Sequence, residues 1–153
     1  NYVKEDILII SSDKDFQQLQ RYPNVKQYSP HKDEFMVCEN PEHFLIDHII
    51  RGDSSDGIPN ILSDDDAIIN KEKRQNSCRK NIVEDIFNNL DEWSKKDNWK
   101  RNQSLVDLNF IPEEYENKII KEYEKPIERK RNNLLNYFIE HKLKIFMENI
   151  EDF

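Results

Sequence analysis

Short apolar runs alternate with polar segments in the first 40 residues, and this pattern predicts a small sheet. Residues 7–10 (ILII) are continuously apolar, which is typical of a strand buried on both faces in a parallel sheet. Two apolar residues at helical spacing predict a short helix over residues 14–21. Residues 25–28 and 35–38 predict two further strands, and the polar turn between them indicates a hairpin.

A helix with clear signals at both ends follows this sheet. Asn40 supplies an N-cap, Pro41 suits the first helical position, and Gly52 is placed to end the helix. The apolar face between these signals consists of Phe44, Leu45, Ile46, Ile49 and Ile50.

The rest of the chain predicts further helices and no strand. Residues 63–66 can cap a short helix, and residues 79–90 carry one apolar stripe. Residues 91–104 are polar apart from two tryptophans and predict no element. A helix is expected over 112–123, and one or two more over 127–149. The inner face of the helix over 112–123 is expected to carry Tyr115, Ile119, Ile120 and Tyr123.

The fold class predicted from this order of elements is an α/β fragment that passes into a mostly α body. Residues 1–40 would form the end of a parallel sheet, and residues 41–153 a helical domain. One inner strand and its hairpin leave much apolar surface uncovered, so we expect the other strands of the sheet to precede residue 1 or to lie on a separate polypeptide.

Composition narrows the class of protein. Leu, Ile, Val and Phe account for 42 of 153 residues, which is enough for a folded core. The sequence contains no apolar run of membrane-spanning length and no signal peptide, so a cytoplasmic protein without a membrane partner is expected. Cys38 and Cys78 lack metal or disulfide spacing and are interpreted as ordinary thiols.

The net charge of −8 argues against a uniformly basic, nucleic-acid-coating surface, but two segments depart from this average. Residues 71–80 carry five basic side chains and one acidic side chain, and residues 118–131 carry six basic and three acidic side chains. Such a block can bind phosphates, although it is also typical of a solvated surface. The candidate phosphate-binding residues are Lys71, Lys73, Arg74, Arg79 and Lys80.

Four aspartates are the candidate functional residues of the chain. Asp13 and Asp15 follow the apolar strand, where the carboxyl edge of a parallel sheet binds ligands. Asp53 and Asp56 lie in a turn flanked by the two glycines of the chain. Because four converging carboxylates would repel one another, their convergence argues for divalent metal, and oxygen ligands favour magnesium or manganese over zinc.

Each pair also has a simpler interpretation, since aspartate is common at helix caps and in surface turns. A haloacid-dehalogenase-type phosphatase also places Asp-x-Asp after an apolar strand, but the residues around Asp13 and Asp15 fit that pattern poorly. The histidines show no ligand spacing and are interpreted as surface or packing residues: His31, His43, His48 and His141.

Two motifs stand out in the first 60 residues: IISSDKDFQQL at residues 9–19 and IIRGDSSDGIPN at residues 49–60. They resemble the second half of the nuclease core in the 5′ nucleases, the family of flap endonucleases and phage ribonucleases H. The segment VKQYSP and the closing NIEDF make the T-even-type phage ribonuclease H branch the best match. The motifs are specific in residues 7–62, and the likeness is general beyond them.

This resemblance implies a metal-dependent 5′–3′ exonuclease or flap endonuclease with RNase H activity that removes RNA primers during phage DNA replication. Asp13 and Asp15 match positions that hold the metal cluster, and Asp53 and Asp56 match the pair completing the second site. Two magnesium ions are implied, with manganese as an alternative. Residues 41–85 would form a helix-three-turn-helix that grips duplex or flapped DNA and RNA·DNA hybrid by phosphate.

The resemblance also implies that half of the nuclease is missing from this chain. The remaining acidic ligands would lie in an N-terminal half, so the chain alone is expected to bind metal weakly and to cleave little. Phage relatives contact a single-strand-binding protein and a sliding clamp, and these are further expected partners. The alternative is a catalytically inactive module that binds DNA and a protein partner.

Overall fold

The computed structural model describes residues 5–125 and 133–152. The chain divides into two compact units, one ending at Ile111 and the other beginning at Pro112. The boundary predicted at residue 40 falls inside the first unit. None of the described helices is both long enough and apolar enough to cross a membrane.

A three-stranded sheet opens the first unit and confirms the predicted strands. Strand β1 (Ile7–Ile10) is parallel to β2 (Val25–Ser29), and β2 is antiparallel to β3 (Glu34–Met36). Within the described residues β1 is an edge strand, and Leu8 and Ile10 are 53% and 68% exposed. The burial predicted for this strand is therefore not provided by the described part of the chain.

The predicted helix over residues 14–21 is a 3-10 helix, Lys14–Arg21, capped by the Asp13 side chain. Gln18 anchors it to a distant part of the unit. The buried Gln18 amide donates to the Val106 carbonyl at 3.0 Å and accepts from the Leu108 amide at 3.0 Å.

Helix α1 (Pro41–Arg51) confirms the prediction made from its end signals. Asn40 accepts a hydrogen bond from the His43 amide at 3.0 Å, and the helix ends at Gly52. The buried C-terminal turn of α1 contributes Ile49 and Ile50 to the core of the first unit.

The segment that follows, residues 52–79, consists of turns and extended chain. The short helix predicted from the cap at residues 63–66 is absent from it. The predicted cap Ser63 has another role, because its Oγ accepts a hydrogen bond from the Asn76 amide at 2.8 Å. The neighbouring Asn60 side chain donates to the Asn76 carbonyl at 2.9 Å. The helix-three-turn-helix predicted for 41–85 is not confirmed, although helices are present at both of its ends.

Three helices complete the first core: α2 (Lys80–Asn88), α3 (Leu90–Trp93) and α4 (Asp97–Val106). The helix predicted over 79–90 breaks at Asn89, and α3 and α4 occupy a stretch for which no element was predicted. The core consists of Ile49, Ile50, Ile61, Val83, Ile86, Trp99 and Val106. A short 3-10 helix, Leu108–Phe110, follows α4.

The second unit contains α5 (Glu113–Tyr123), α6 (Leu134–Glu140), α7 (Lys144–Glu148) and a 3-10 helix, Ile150–Asp152. The helix predicted over 112–123 is thus confirmed, and α6 and α7 match the two predicted over 127–149, whose first residues lie outside the described range. The predicted inner face of α5 is wrong for Tyr115, Ile119 and Tyr123, which are more than half exposed.

Candidate metal centre

Two aspartates from distant stretches approach each other in the first unit. Asp15 lies in the first turn of the 3-10 helix, five residues after the carboxyl end of β1 at Ile10. Asp53 follows the C-terminus of α1 and is 5% exposed. The extensive packing of α1 against the 3-10 helix brings these two positions to the same place.

The turn that carries Asp53 depends on Gly52. Gly52 has a φ of +66°, and a Cβ atom there would lie 2.3 Å from the Ile58 carbonyl oxygen. This close approach allows the Ile58 amide to donate to the Asp53 carbonyl at 2.7 Å, which closes the turn. Gly57 also has a positive φ, +77°, but its Cβ position is open.

His48, in the last turns of α1, lies between the two carboxylates. Its Nδ1 is 3.4 Å from Asp15 Oδ1, and its Nε2 is 3.3 Å from Asp53 Oδ2. The His48 side chain is 5% exposed. One potential ligand atom from each of Asp15, His48 and Asp53 lies within 4.8 Å of the other two.

Asp53 is held as a carboxylate by several donors. Lys14 Nζ lies 2.8 Å from its Oδ2, while the amide and hydroxyl of Ser55 donate to its Oδ1. The hydrogen bond from Lys14, followed by those from Ser55, holds the pKa of Asp53 well below its usual range. The same ion pair raises the pKa of Lys14.

The pKa of Asp15 is shifted in the opposite direction from that of Asp53. Burial raises the pKa of Asp15; His48 opposes this shift, and the nearby Asp13 and Asp53 add to it. Asp15 Oδ1 and His48 Nδ1 are both buried and have no hydrogen-bond partner among the described residues. A bound cation would favour the charged form of Asp15 and satisfy its oxygen, so this donor set fits a divalent ion.

Comparison with known proteins identifies the family. A family model described as "T4 RNase H, C terminal" matches residues 39–153, which is three quarters of the chain. The chain belongs to the T4 RNase H C-terminal family. It is 30% identical to a protein named ribonuclease H from Enterobacteria phage T4, over 96% of this chain and 52% of that relative. The chain therefore spans about half the length of this relative.

Two of the four aspartates on which the family resemblance depends, Asp15 and Asp53, belong to the close cluster. The other two, Asp13 and Asp56, are exposed residues next to it in the chain. Asp13 Oδ1 accepts the Asp15 amide at 2.9 Å and so caps the 3-10 helix. Their proposed roles in metal binding stay predictions.

The predicted phosphate-binding residues lie in the segment before α2 and at its first residue. All of them are exposed. Lys73 Nζ lies 3.2 Å from Asp64 and 2.7 Å from Asp66, and Lys80 lies 3.8 Å from Glu84. Lys71, Arg74 and Arg79 are exposed as well.

The sequence did not predict the position of His48 or of Lys14. His48 lies 33 residues from Asp15, so their proximity arises from packing rather than from a local spacing. The signal that could have found it is its place on α1, five residues before Asp53 and immediately before the motif at residues 49–60.

Proposed function

We propose that this chain is the C-terminal part of a divalent-metal-dependent 5′–3′ exonuclease and flap endonuclease with RNase H activity. Its substrates would be RNA·DNA hybrid and duplex or flapped DNA, and its task the removal of RNA primers during phage DNA replication. The observation that carries this proposal is the convergence of Asp15 and Asp53 from two distant stretches, with the buried Asp15 Oδ1 lacking a hydrogen-bond donor among the described residues.

The acidic side chains would hold the ions. Asp15 and Asp53 supply carboxylates from the cluster, and Asp13 and Asp56 would complete the set from the adjoining turns. Magnesium, or manganese in its place, would activate a water molecule and stabilise the leaving oxygen of a phosphodiester, with two ions in the complete enzyme.

Lys14 and Ser55 prepare Asp53 for this role. Their hydrogen bonds keep its carboxylate ionised and fix both of its oxygens. Because the Lys14 side chain is half exposed, its ammonium group can leave Asp53 for solvent or for a substrate phosphate when a metal ion binds.

The basic residues before and at the start of α2 would bind the nucleic-acid backbone. Phosphate contacts carry no sequence information, which suits an enzyme acting on many primer sites. The proposed contacts come from Lys71, Lys73, Arg74, Arg79 and Lys80, in a helix-three-turn-helix over residues 41–85.

The other half of the nuclease is the partner that this proposal requires. Leu8 and Ile10 of β1 are exposed at the edge of the described sheet, where further strands can pair and cover them. A single-strand-binding protein and a sliding clamp are additional proposed partners.

Cleavage of a 5′-labelled RNA·DNA hybrid tests the proposal. Two reactions are compared in the presence of Mg²⁺. One contains the chain alone, and the other contains the chain together with the N-terminal half of the nuclease from the same organism. We expect little cleavage by the chain alone and clear cleavage by the combination. Asp15→Asn or Asp53→Asn should lower the combined rate by about 100-fold, whereas the control Asp91→Asn, at an exposed residue of α3, should not change it.

A double variant separates the nuclease from the inactive binding module. Asp53→Ala with Asp56→Ala should abolish cleavage by the combination and leave binding to duplex DNA intact. Unchanged activity in this variant would favour the module. Strong Mg²⁺-dependent cleavage by the chain alone would contradict the requirement for another half.

A further inference from the structure

When the His48 imidazole is neutral, two acceptor atoms face each other: His48 Nδ1 and Asp15 Oδ1. A neutral imidazole carries one N–H, and the hydrogen bond at 3.3 Å between His48 Nε2 and Asp53 Oδ2 places it on Nε2. Nδ1 then presents a lone pair to Asp15 Oδ1, 3.4 Å away. Both atoms are buried and lack hydrogen-bond partners within the described residues.

A metal ion between these atoms resolves the conflict. Two donor atoms that are each about 2.1 Å from one ion lie about 3.0 Å apart at an octahedral ion and about 3.4 Å apart at a tetrahedral ion. The observed separation of Nδ1 and Asp15 Oδ1 is 3.4 Å, so an octahedral ion requires them to close by about 0.4 Å. A histidine that ligates metal usually donates its other N–H to a carboxylate, which fixes the ring. Asp53 occupies that position at Nε2.

The identity of the ligand atoms determines which ions the site prefers. Magnesium takes oxygen ligands, whereas imidazole nitrogen suits the later transition metals. Manganese takes carboxylate ligands as magnesium does, and it also stands at the start of that transition-metal series. A site that joins a carboxylate oxygen to His48 therefore differs in its preference from a site made of carboxylates alone.

We propose that His48 Nδ1 is a direct ligand of the cation held by Asp15, with Asp53 orienting the ring, and that this site binds Mn²⁺ in preference to Mg²⁺. The place of this ion in catalysis rests on the proposed function, but its binding does not. Metal binding can therefore be measured on the 153-residue chain without any nuclease assay.

Binding of Mn²⁺ and Mg²⁺ to the wild type and two variants provides the first test. His48→Gln removes the imidazole, and His43→Gln is the matched control on α1, where His43 is exposed and stacks on Phe87 at 4.4 Å. Bound Mn²⁺ is measured by electron paramagnetic resonance (EPR), and Mg²⁺ by its competition with Mn²⁺. We expect His48→Gln to weaken Mn²⁺ binding at least tenfold and Mg²⁺ binding by less than about threefold, and His43→Gln to change neither.

A spectroscopic measurement on the wild-type chain provides the second test and does not depend on a variant that folds. Pulsed EPR of the Mn²⁺-loaded chain should show coupling to an imidazole ¹⁴N, and His43→Gln should retain it. Bound Mn²⁺ without this coupling would overturn the inference, as would an equal loss of Mn²⁺ and Mg²⁺ binding in His48→Gln, which indicates a structural role.

The carboxylate variants distinguish this inference from the proposed function. If Asp15→Asn weakens cation binding but no ¹⁴N coupling is present, His48 is not a ligand and the proposed nuclease site stands. If Asp15→Asn and Asp53→Asn both bind Mn²⁺ as the wild type does, both proposals are contradicted.

Discussion

The two glycines of the chain provide a matched pair for testing how the Asp53 turn is built. Gly52 and Gly57 flank the turn, and both have positive φ, so alanine at either position meets the same kind of backbone strain. They differ in their surroundings. A Cβ at Gly52 would lie 2.3 Å from the Ile58 oxygen and 2.6 Å from the Pro59 oxygen, whereas at Gly57 no atom lies within 4 Å.

The expected magnitudes follow from this difference. Gly57→Ala should cost about 1 kcal/mol of unfolding free energy, from the left-handed backbone alone. In Gly52→Ala the Ile58 oxygen must also retreat by at least 0.7 Å, from 2.3 Å to the 3.0 Å below which real Cβ contacts essentially never fall. The hydrogen bond from Asn102 to the Pro59 carbonyl, now 2.8 Å, is disturbed as well. With a buried carbonyl left poorly paired, the total should reach about 3 to 5 kcal/mol.

Urea unfolding followed by tryptophan fluorescence measures both variants. Trp93 and Trp99 are the two tryptophans of the chain and both lie in the first unit, so the signal reports the unit that contains the turn. Equal losses of stability in the two variants would refute the reasoning, because the close approach of the Ile58 carbonyl would then make no contribution to the unfolding free energy.

Three further predictions concern single side chains. Asn102→Ala should lower the unfolding free energy by about 2 to 4 kcal/mol, because the buried Asn102 amide donates to the Ile49 and Pro59 carbonyls at 2.8 Å; urea unfolding measures it. The depressed pKa of Asp53 gives stability that is complete above about pH 4 and lost as the pH falls below it, so Asp53→Asn should show a shallower loss of stability on acidification. Burial raises the pKa of Cys78, so in a Cys38→Ser background its alkylation by iodoacetamide should have a higher pH midpoint than that of N-acetylcysteine.

Each of these predictions has its own control and contrary outcome. The exposed Asn81→Ala on α2 should change stability by less than about 0.5 kcal/mol, and a similar small change in Asn102→Ala would contradict the role of the buried amide. The acid titration of Asp91→Asn should match that of the wild type. A pH midpoint for Cys78 at or below that of N-acetylcysteine would show that burial does not control its ionisation.

Elements with local signals were predictable from the sequence. Helix α1 has Asn40 as its cap, Pro41 in its first turn and Gly52 at its end, and the structure places its bounds accordingly. The hairpin and α5 were found for the same reason. These signals act within a few residues and need no knowledge of the rest of the fold.

Elements that depend on distant partners were not predictable. Helix α4 buries Trp99, Asn102 and Val106, and a helix that buries an asparagine does not show a continuous apolar stripe. His48 was interpreted as a surface or packing residue, because Asp15 and Asp53 become its neighbours only through the packing of α1 against the 3-10 helix. Local spacing carries no information about such contacts.

The hydrogen bonds of Gln18 determine when, during synthesis, the turn that carries Asp15 can reach its final structure. Its two partners, Val106 and Leu108, are 88 and 90 residues further along the chain. During synthesis, the turn that carries Asp15 therefore cannot gain these restraints until most of the first unit has left the ribosome. The geometry of the acidic site thus depends on residues that are made long after the turn itself.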